Sequence, residues 1–137
     1  MKKIIFVLLI IISLLMISCS TANNKNAEDS DDAGKVLMIT PEKAKENLEE
    51  NEAIVLLDVR SVTEYEAEHI KGAVLLPLDE IAEKANEVVP DQKQVYYVYC
   101  RSGNRSATAA QLLVDMGYEK IYDLGGIIDW PYDTVKE

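Results

Sequence analysis

Residues 95–106 have the sequence VYYVYCRSGNRS, in which an apolar run passes directly into a short polar loop. The run at 95–99 is short, rich in β-branched and aromatic residues and uninterrupted by polar positions. These features are typical of a strand that is buried on both faces of a parallel sheet. Residues 105–116 then place apolar side chains on one helical face, and Gly117 stands where a glycine ends many helices. The segment therefore predicts a strand, a loop and a helix in immediate succession.

The rest of residues 35–137 repeats this alternation and is predicted to form one domain. Thr40 and Pro41 favour a helix start, since threonine caps the first turn and proline fits its first position. Strands that alternate with helices imply right-handed crossovers, and hence an α/β fold whose parallel sheet is flanked by helices on both faces. A second buried strand is predicted at 53–57, shorter strands at 36–39, 73–76 and 120–122, and further helices from 41 through 48 and at 79–85.

The first 34 residues differ in composition from this domain. A start with two lysines, MKK, precedes an apolar run that is interrupted only by Ser13 and ends at Ile17. The run is shorter than the ~20 residues that a spanning helix needs, so residues 1–18 are predicted to be an export signal peptide. Residues 19–34 contain no large apolar side chain and therefore predict a flexible linker.

The sequence LMISC that ends at Cys19 resembles a bacterial lipobox. This resemblance implies cleavage before Cys19 and attachment of diacylglycerol to its sulfur. The protein is then expected to be an exported lipoprotein, anchored on the extracytoplasmic side of a bacterial membrane. The alternative is an uncleaved N-terminal anchor with an incidental cysteine. Both alternatives place the chain on a membrane, and its acidic charge makes a covalent anchor more plausible than electrostatic docking.

Composition excludes several classes of protein. The 137 residues fit one domain, and 24 acidic residues against 14 basic ones give a net charge of −10. A chain this acidic lacks the basic face that nucleic-acid binding requires. Two cysteines and one histidine rule out a zinc ribbon, a zinc finger and a disulfide-stapled mini-protein. We therefore expect neither a metal nor a cofactor.

Two polar clusters follow the two buried strands. Asp58-Val59-Arg60 follows the strand at 53–57, and residues 100–105 follow the strand at 95–99. All three arginines of the chain lie in these clusters, whereas every other basic residue is a lysine. Arginine presents a rigid fork of donors that suits oxyanions, and ligands of α/β sheets gather at the carboxyl ends of the strands. The pattern therefore favours anion binding at this edge over three unrelated surface arginines.

Cys100 begins the second cluster and faces the start of the predicted helix. Backbone N–H groups, the helix terminus, Arg101 and Arg105 all favour the thiolate, and such sites lower a thiol pKa from about 8.5 to roughly 3.5–7.5. The same donors suit a bound anion, and Gly103 permits the positive φ that a cradle of N–H groups needs. The alternative is a buried core cysteine beside a solvated turn. Two arginines on so short a loop favour an exposed, reactive thiolate.

Four stretches, in order along residues 35–132, resemble a single-domain rhodanese, which is a sulfurtransferase. No one of them is specific alone, but together they span nearly the whole domain. They are Leu57-Asp58-Val59-Arg60 with Glu64-Tyr65, the turn His69-Ile70-Lys71-Gly72-Ala73, the loop Cys100-Arg101-Ser102-Gly103-Asn104-Arg105-Ser106, and the closing residues Gly117-Tyr118, Leu124-Gly125-Gly126 and Trp130.

The resemblance implies an activity and a set of site residues. Cys100 would take a sulfane sulfur from a small sulfur-containing anion such as thiosulfate and hold it as a persulfide. A thiol or cyanide would then accept that sulfur, in covalent ping-pong catalysis by a monomer. Asp58 would support the loops, His69 would be structural, and Gly125-Gly126 with Trp130 would form a turn and a packed rim. The substrate would be bound by Arg101, Ser102, Gly103, Asn104 and Arg105, with help from Arg60.

Two other functions stay open at this point. Cysteine phosphatases and arsenate reductases share the thiolate in a cradle, but their loop has five residues between cysteine and arginine. Here four residues separate Cys100 from Arg105, and the next position is Ser106. The smaller cradle suits a sulfur atom better than a phosphoryl group. Rhodanese-like domains also serve as sulfur carriers, binding modules or redox sensors.

Overall fold

A computed structural model describes residues 34–137 of the chain. The predicted signal peptide at 1–18, the lipid attachment at Cys19 and all but the last residue of the predicted linker lie outside the described residues. Across residues 34–137, no helix combines the length and the hydrophobicity required to cross a bilayer.

The described residues form a five-stranded, all-parallel sheet with helices on both faces, as predicted. The strand order is β1-β5-β4-β2-β3, so β4 lies at the centre with β2 and β5 beside it. The strands are β1 (Val36–Met38), β2 (Val55–Asp58), β3 (Val74–Leu75), β4 (Val95–Cys100) and β5 (Lys120–Gly126). The helices are α1 (Pro41–Glu50), α2 (Val62–Ala67), α3 (Ile81–Val88) and α4 (Asn104–Asp115), with single 3₁₀ turns at Leu78–Glu80 and Ile127–Asp129.

Alternation along β4 divides the core into two clusters, one on each face of the sheet. Because successive side chains of a strand point to opposite faces, Tyr96, Val98 and Cys100 pack in one cluster with α3 and α4. Tyr97 and Tyr99 pack in the other cluster with α1 and the C-terminal segment. The reactive-cysteine candidate therefore belongs to the layer that contains α3 and α4.

The signals that start and end two helices act as predicted. The hydroxyl of Thr40 accepts the N–H of Lys43 at 3.3 Å and caps α1. After α4, Gly117 adopts a φ of +98°, and the following N–H of Tyr118 reaches back to the carbonyl of Leu113 at 3.1 Å. A glycine is required there because this left-handed conformation strains residues that carry a Cβ.

The structure adds one helix that was not predicted and corrects the predicted end of the last strand. Helix α2 was not predicted, because none of its residues is buried and it therefore lacks an apolar stripe. Strand β5 continues past Tyr122 to Gly126, so Gly125-Gly126 is part of the strand and not a turn. The pairing of β4 with β5 shifts register between Val98 and Tyr99. Val98 pairs with Asp123 and Tyr99 pairs with Gly125, so Leu124 is an extra residue in β5.

Candidate active site

Strand register brings the two predicted polar clusters to the same edge of the sheet. Asp58, the last residue of β2, pairs with Tyr99, and Cys100, the last residue of β4, pairs with Gly126 of β5. Residues 101–103 form the loop between Cys100 and the first turn of α4. We call residues 100–105 the active-site loop.

Cys100 lies at the floor of this loop and is only 1% exposed, which corrects the expectation of an exposed thiol. Its Sγ accepts the backbone N–H of Gly103 at 3.1 Å. Burial disfavours the thiolate, but the N–H groups of Ser106, Gly103 and Ser102, together with the nearby Ser106 hydroxyl, lower the pKa of Cys100 overall. The site therefore stabilises negative charge on a sulfur that is shielded from bulk water.

Gly103 and Gly126 allow the loop to close around the sulfur. Gly103 has a φ of +97°, which turns its N–H toward Cys100, and it caps the start of α4. A Cβ on Gly126 would lie 2.5 Å from the carbonyl oxygen of Arg101 and 2.7 Å from the Cα of Ser102. Strand β5 thus approaches the loop so closely that only glycine fits at position 126.

The hydroxyl of Ser106 and the backbone after β5 hold the loop in this position. The Ser106 hydroxyl lies 2.9 Å from the carbonyl oxygen of Gly103 and 3.2 Å from that of Gly125. The N–H of Ile128 donates to the carbonyl of Arg101 at 3.3 Å. The loop is therefore fixed at both ends by β5 and the 3₁₀ turn that follows it.

Arg105 forms a bidentate ion pair with Glu64 of α2. Its two terminal nitrogens donate to the carboxylate oxygens of Glu64 at 2.7 and 2.8 Å. Glu64 also completes a capping box with Ser61, because its carboxylate accepts the N–H of Ser61 and its own N–H donates to the Ser61 hydroxyl. Hydrogen bonds from the Arg105 guanidinium and from Ser61 lower the pKa of Glu64 to about 2, although partial burial acts in the opposite direction. The pair connects α2 to the loop and compensates the charge of Arg105.

Arg60 is committed to Asp58. Its backbone N–H, Nε and Nη2 all donate to the Asp58 carboxylate at 2.6–3.1 Å, and Nη2 also donates to the carbonyl of Glu68 at 2.6 Å. The guanidinium is 5.5 Å from the centre of the Tyr99 ring, and both charged side chains are buried. The structure therefore places Arg60 with Asp58 and not with the active-site loop, and its direct contact with substrate stays a prediction. Asp58 thus binds Arg60, and its predicted support of the active-site loop stays a prediction.

The outer residues of the active-site loop face solvent. Arg101, Ser102 and Asn104 are exposed, and Gly103 is half-buried. Within residues 34–137, the side chain of Arg101 forms no hydrogen bond or ion pair. It is therefore the one guanidinium of the described chain whose charge is not matched by a carboxylate. In residues 34–137, no cluster of three or more His, Cys, Asp or Glu side chains is arranged to hold a metal ion.

His69 lies away from the thiol and contacts Tyr65 and the C-terminus. Its ring stacks on Tyr65 at 3.8 Å between centroids, its Nδ1 lies 2.8 Å from the carbonyl oxygen of Tyr65, and its backbone forms a bridge with Val135. These contacts are consistent with the structural role predicted for His69.

Sequence reasoning did not assign roles to Ser106 or Glu64, although both belong to the quoted motifs, and it assigned Gly126 to a turn rather than to close contact with the loop. For Glu64, the Ser61-x-x-Glu64 spacing of a capping box was available as a signal.

With this geometry established, comparison with known proteins identifies the family. The profile of the Rhodanese-like domain matches residues 40–131. The chain is 38% identical over 80 residues to the thiosulfate sulfurtransferase PspE of Escherichia coli (strain K12), which covers 58% of this chain and 77% of PspE. It is 35% identical over 106 residues to "Putative sulfur carrier protein YrkF" of Bacillus subtilis (strain 168), covering 77% of this chain and 56% of YrkF. The chain thus spans little more than half of that relative.

A solved structure shows the same fold. The structure titled "rhodanese with anions from E. coli" superposes with a TM-score of 0.58 at 36% identity and covers 62% of this chain and all of that one. One of the two relatives is named for sulfur carriage and the other for sulfur transfer. The thiol at the end of the central strand β4, which accepts a backbone N–H, agrees with the family match over residues 40–131 and with these relatives. This chain belongs to the rhodanese-like domain family.

Proposed function

We propose that this protein is a sulfurtransferase that moves a sulfane sulfur from a donor such as thiosulfate to a thiophilic acceptor. The observation that carries the proposal is the Cys100 sulfur, whose thiolate is stabilised by the N–H groups of Ser102, Gly103 and Ser106. A ring of donors of this kind can stabilise the terminal sulfur of a persulfide as well as the thiolate itself. The thiosulfate sulfurtransferase named among the relatives supports the choice of donor.

The first half-reaction forms a persulfide. The Cys100 thiolate attacks the outer sulfur of thiosulfate, a new S–S bond forms, and the old S–S bond breaks with its electron pair leaving on sulfite. The exposed Arg101 would attract the dianion to the loop by its positive charge. In the second half-reaction the acceptor attacks the outer sulfur, and the electron pair of the Cys100–S bond returns to Sγ. The enzyme is then regenerated as the thiolate.

Intact-mass measurement of the full-length chain after incubation with thiosulfate tests the proposal. We expect a mass gain of one sulfur atom with release of one sulfite, and neither in Cys100→Ser. Addition of cyanide should then remove the sulfur and allow repeated cycles. Loading without turnover by cyanide or any thiol would instead indicate a sulfur carrier. Absence of loading, with hydrolysis of an aryl phosphate, would overturn the proposal in favour of a phosphatase.

We further propose that Cys19 is lipidated and holds the domain on the extracytoplasmic face of a membrane. The support is the apolar N-terminal run, the LMISC sequence and the polar segment that follows it. Cys19→Ser should move the protein from the membrane fraction of expressing bacteria or leave it as an unprocessed precursor. Processing and membrane attachment that are unchanged in Cys19→Ser would contradict the lipobox.

A further inference from the structure

The last residues of the chain are bound to the segment that follows α2. The N–H of His69 donates to the carbonyl of Val135 at 2.9 Å, and the N–H of Val135 donates back to the carbonyl of His69 at 2.8 Å. We call residues 133–137 the C-terminal strap. The strap lies beyond the family match, which covers residues 40–131, so the matched profile does not account for these contacts.

Two further hydrogen bonds connect the strap to α2 itself. The hydroxyl of Thr134 donates to the carboxylate of Glu68, the residue that ends α2, at 2.7 Å. The N–H of Glu137 donates to the carbonyl of Glu66 at 3.2 Å. The strap therefore contacts the last turn of α2 as well as the segment that leaves it.

Hydrogen bonds, and not burial, hold α2 in place. The helix has six residues and none of them is buried, whereas most helices in proteins are stabilised by packing of an apolar face. Its capping box joins Ser61 to Glu64 within the helix and does not attach it to the sheet. The Tyr65 hydroxyl adds one bond to the domain, to the carbonyl of Ala73 at 2.8 Å. The position of α2 therefore depends strongly on the strap.

The strap is connected through α2 to the active-site loop. The N–H of Glu68 donates to the carbonyl of Glu64 at 3.1 Å, and the carboxylate of Glu64 accepts both terminal nitrogens of Arg105. An unbroken series of hydrogen-bonded residues thus runs from the strap through Glu68 and Glu64 to Arg105. The side chains of Arg105 and Glu64 are 36% and 30% exposed, so burial alone does not keep them together.

We propose that the C-terminal strap keeps Glu64 on Arg105 and thereby limits the positive charge that the active-site loop offers to an anionic substrate. This inference rests on the proposed sulfurtransferase function and names a control on its anionic donor. While the strap is bound, Arg101 is the one guanidinium of residues 34–137 that no carboxylate compensates. When the strap leaves, α2 is free to move and Arg105 becomes a second uncompensated guanidinium on the loop.

Two alkylating reagents of nearly equal shape test the charge beside Cys100. Iodoacetate is an anion and iodoacetamide is neutral, so the ratio of their rates reports local charge, while the thiol pKa and access to the sulfur cancel. Alkylation of the full-length protein at low ionic strength is followed by mass spectrometry of the peptide that carries Cys100. Val135→Pro removes the N–H that donates to His69 and should raise the iodoacetate to iodoacetamide ratio about twofold. Added salt should suppress the increase.

Lys136→Pro is the matched control. Within residues 34–137 the N–H of Lys136 donates no backbone hydrogen bond, and a proline favours extended backbone at the residue before it, as the bridge at Val135 requires. Its ratio should equal that of the unaltered protein. Thr134→Val removes only the hydroxyl bond to Glu68 and should give a smaller increase than Val135→Pro. An unchanged ratio in Val135→Pro, or an equal increase in Lys136→Pro, would overturn the inference.

A combined variant tests whether the effect passes through Glu64. Glu64→Gln keeps a side chain that suits the capping box but removes the charge, and it should raise the ratio about twofold to fivefold. Adding Val135→Pro to Glu64→Gln should raise it no further, because no carboxylate remains to be withdrawn from Arg105. An increase that multiplies in the double variant would show that the strap acts by another route and would overturn the inference.

Thiosulfate loading separates this inference from the proposed function. In Val135→Pro the thiosulfate concentration that half-saturates persulfide formation on Cys100 should fall about twofold, since a second guanidinium attracts the dianion. If thiosulfate does not load the unaltered protein, the proposed function fails, and the alkylation ratios still test the strap. If it loads the unaltered protein but Val135→Pro changes neither the half-saturating concentration nor the alkylation ratio, the inference fails and the proposed function stands.

Discussion

Replacement of Gly126 by alanine should displace the active-site loop. The added Cβ would lie 2.5 Å from the Arg101 carbonyl oxygen, whereas real contacts of this kind are essentially never shorter than 3.0 Å. The difference means that the loop or β5 must move by at least about 0.5 Å, and misplacements of about 1 Å can cost 10²-fold in rate. We expect sulfur transfer from thiosulfate to cyanide to fall roughly tenfold to a hundredfold, with about 1–3 kcal/mol of lost stability from overpacking.

The effect on Cys100 can be measured without assuming any enzymatic activity. Movement of Arg101 and Ser102 changes the N–H groups that lower the pKa of the thiol. The pH profile of alkylation by iodoacetamide should therefore shift in Gly126→Ala toward that of an ordinary thiol. Circular dichroism and thermal unfolding establish that the assayed variant is folded.

Gly72→Ala is a suitable control for this substitution. Gly72 has a φ of +84° but nothing within 4 Å of an added Cβ, so its replacement strains the backbone without touching the loop. It should cost roughly 1–3 kcal/mol of stability while preserving the alkylation profile. Gly126→Ala with the alkylation profile and transfer rate of the unaltered protein would refute the argument that close approach of β5 positions the loop.

Two ion pairs yield further predictions. Because Arg105 holds the pKa of Glu64 at about 2, below its ordinary value of 4.5, the pair stabilises the folded state fully above about pH 5 and loses that contribution as the pH falls toward 2. Glu64→Gln should cost about 1 kcal/mol at neutral pH, measured by urea unfolding, and the deficit should vanish in acid; a deficit independent of pH would contradict the pairing. Asp58→Asn leaves Arg60 buried without its partner and should cost roughly 3–5 kcal/mol, unlike an exposed change such as Glu83→Gln; a loss below about 1 kcal/mol would contradict a buried pair.

Local patterns in the sequence were sufficient to predict the parallel sheet and the position of the loop. The apolar runs at 53–57 and 95–99 are short and contain no charged side chain, which is typical of strands buried on both faces of a parallel sheet. Helix α4 was predictable from its apolar face and from Gly117. By contrast, α2 has no buried residue, so its only sequence signal was the capping box of Ser61 and Glu64.

The contacts within the candidate site were harder to predict because they join distant parts of the chain. Glu64 and Arg105 are 41 positions apart, and nothing local indicates that the charge of Arg105 is compensated. Three arginines near two strand ends predicted three anion-binding groups, but the fold pairs two of them with carboxylates. The burial of Cys100 likewise depends on distant parts of the chain, because its side chain packs in one cluster with residues of α3 and α4.

The division of β4 between two layers has a consequence for how this protein can change. Tyr99 and Cys100 are neighbours in the chain, yet their side chains enter separate compartments. A change in the packing of Ala109 or Leu113 on α4 would alter the cluster that contains the Cys100 side chain. A change in the packing of the cluster beneath α1 would reach Cys100 only through the backbone. An engineer who wishes to tune stability while sparing reactivity should therefore begin with the compartment of Ala44 and Leu124.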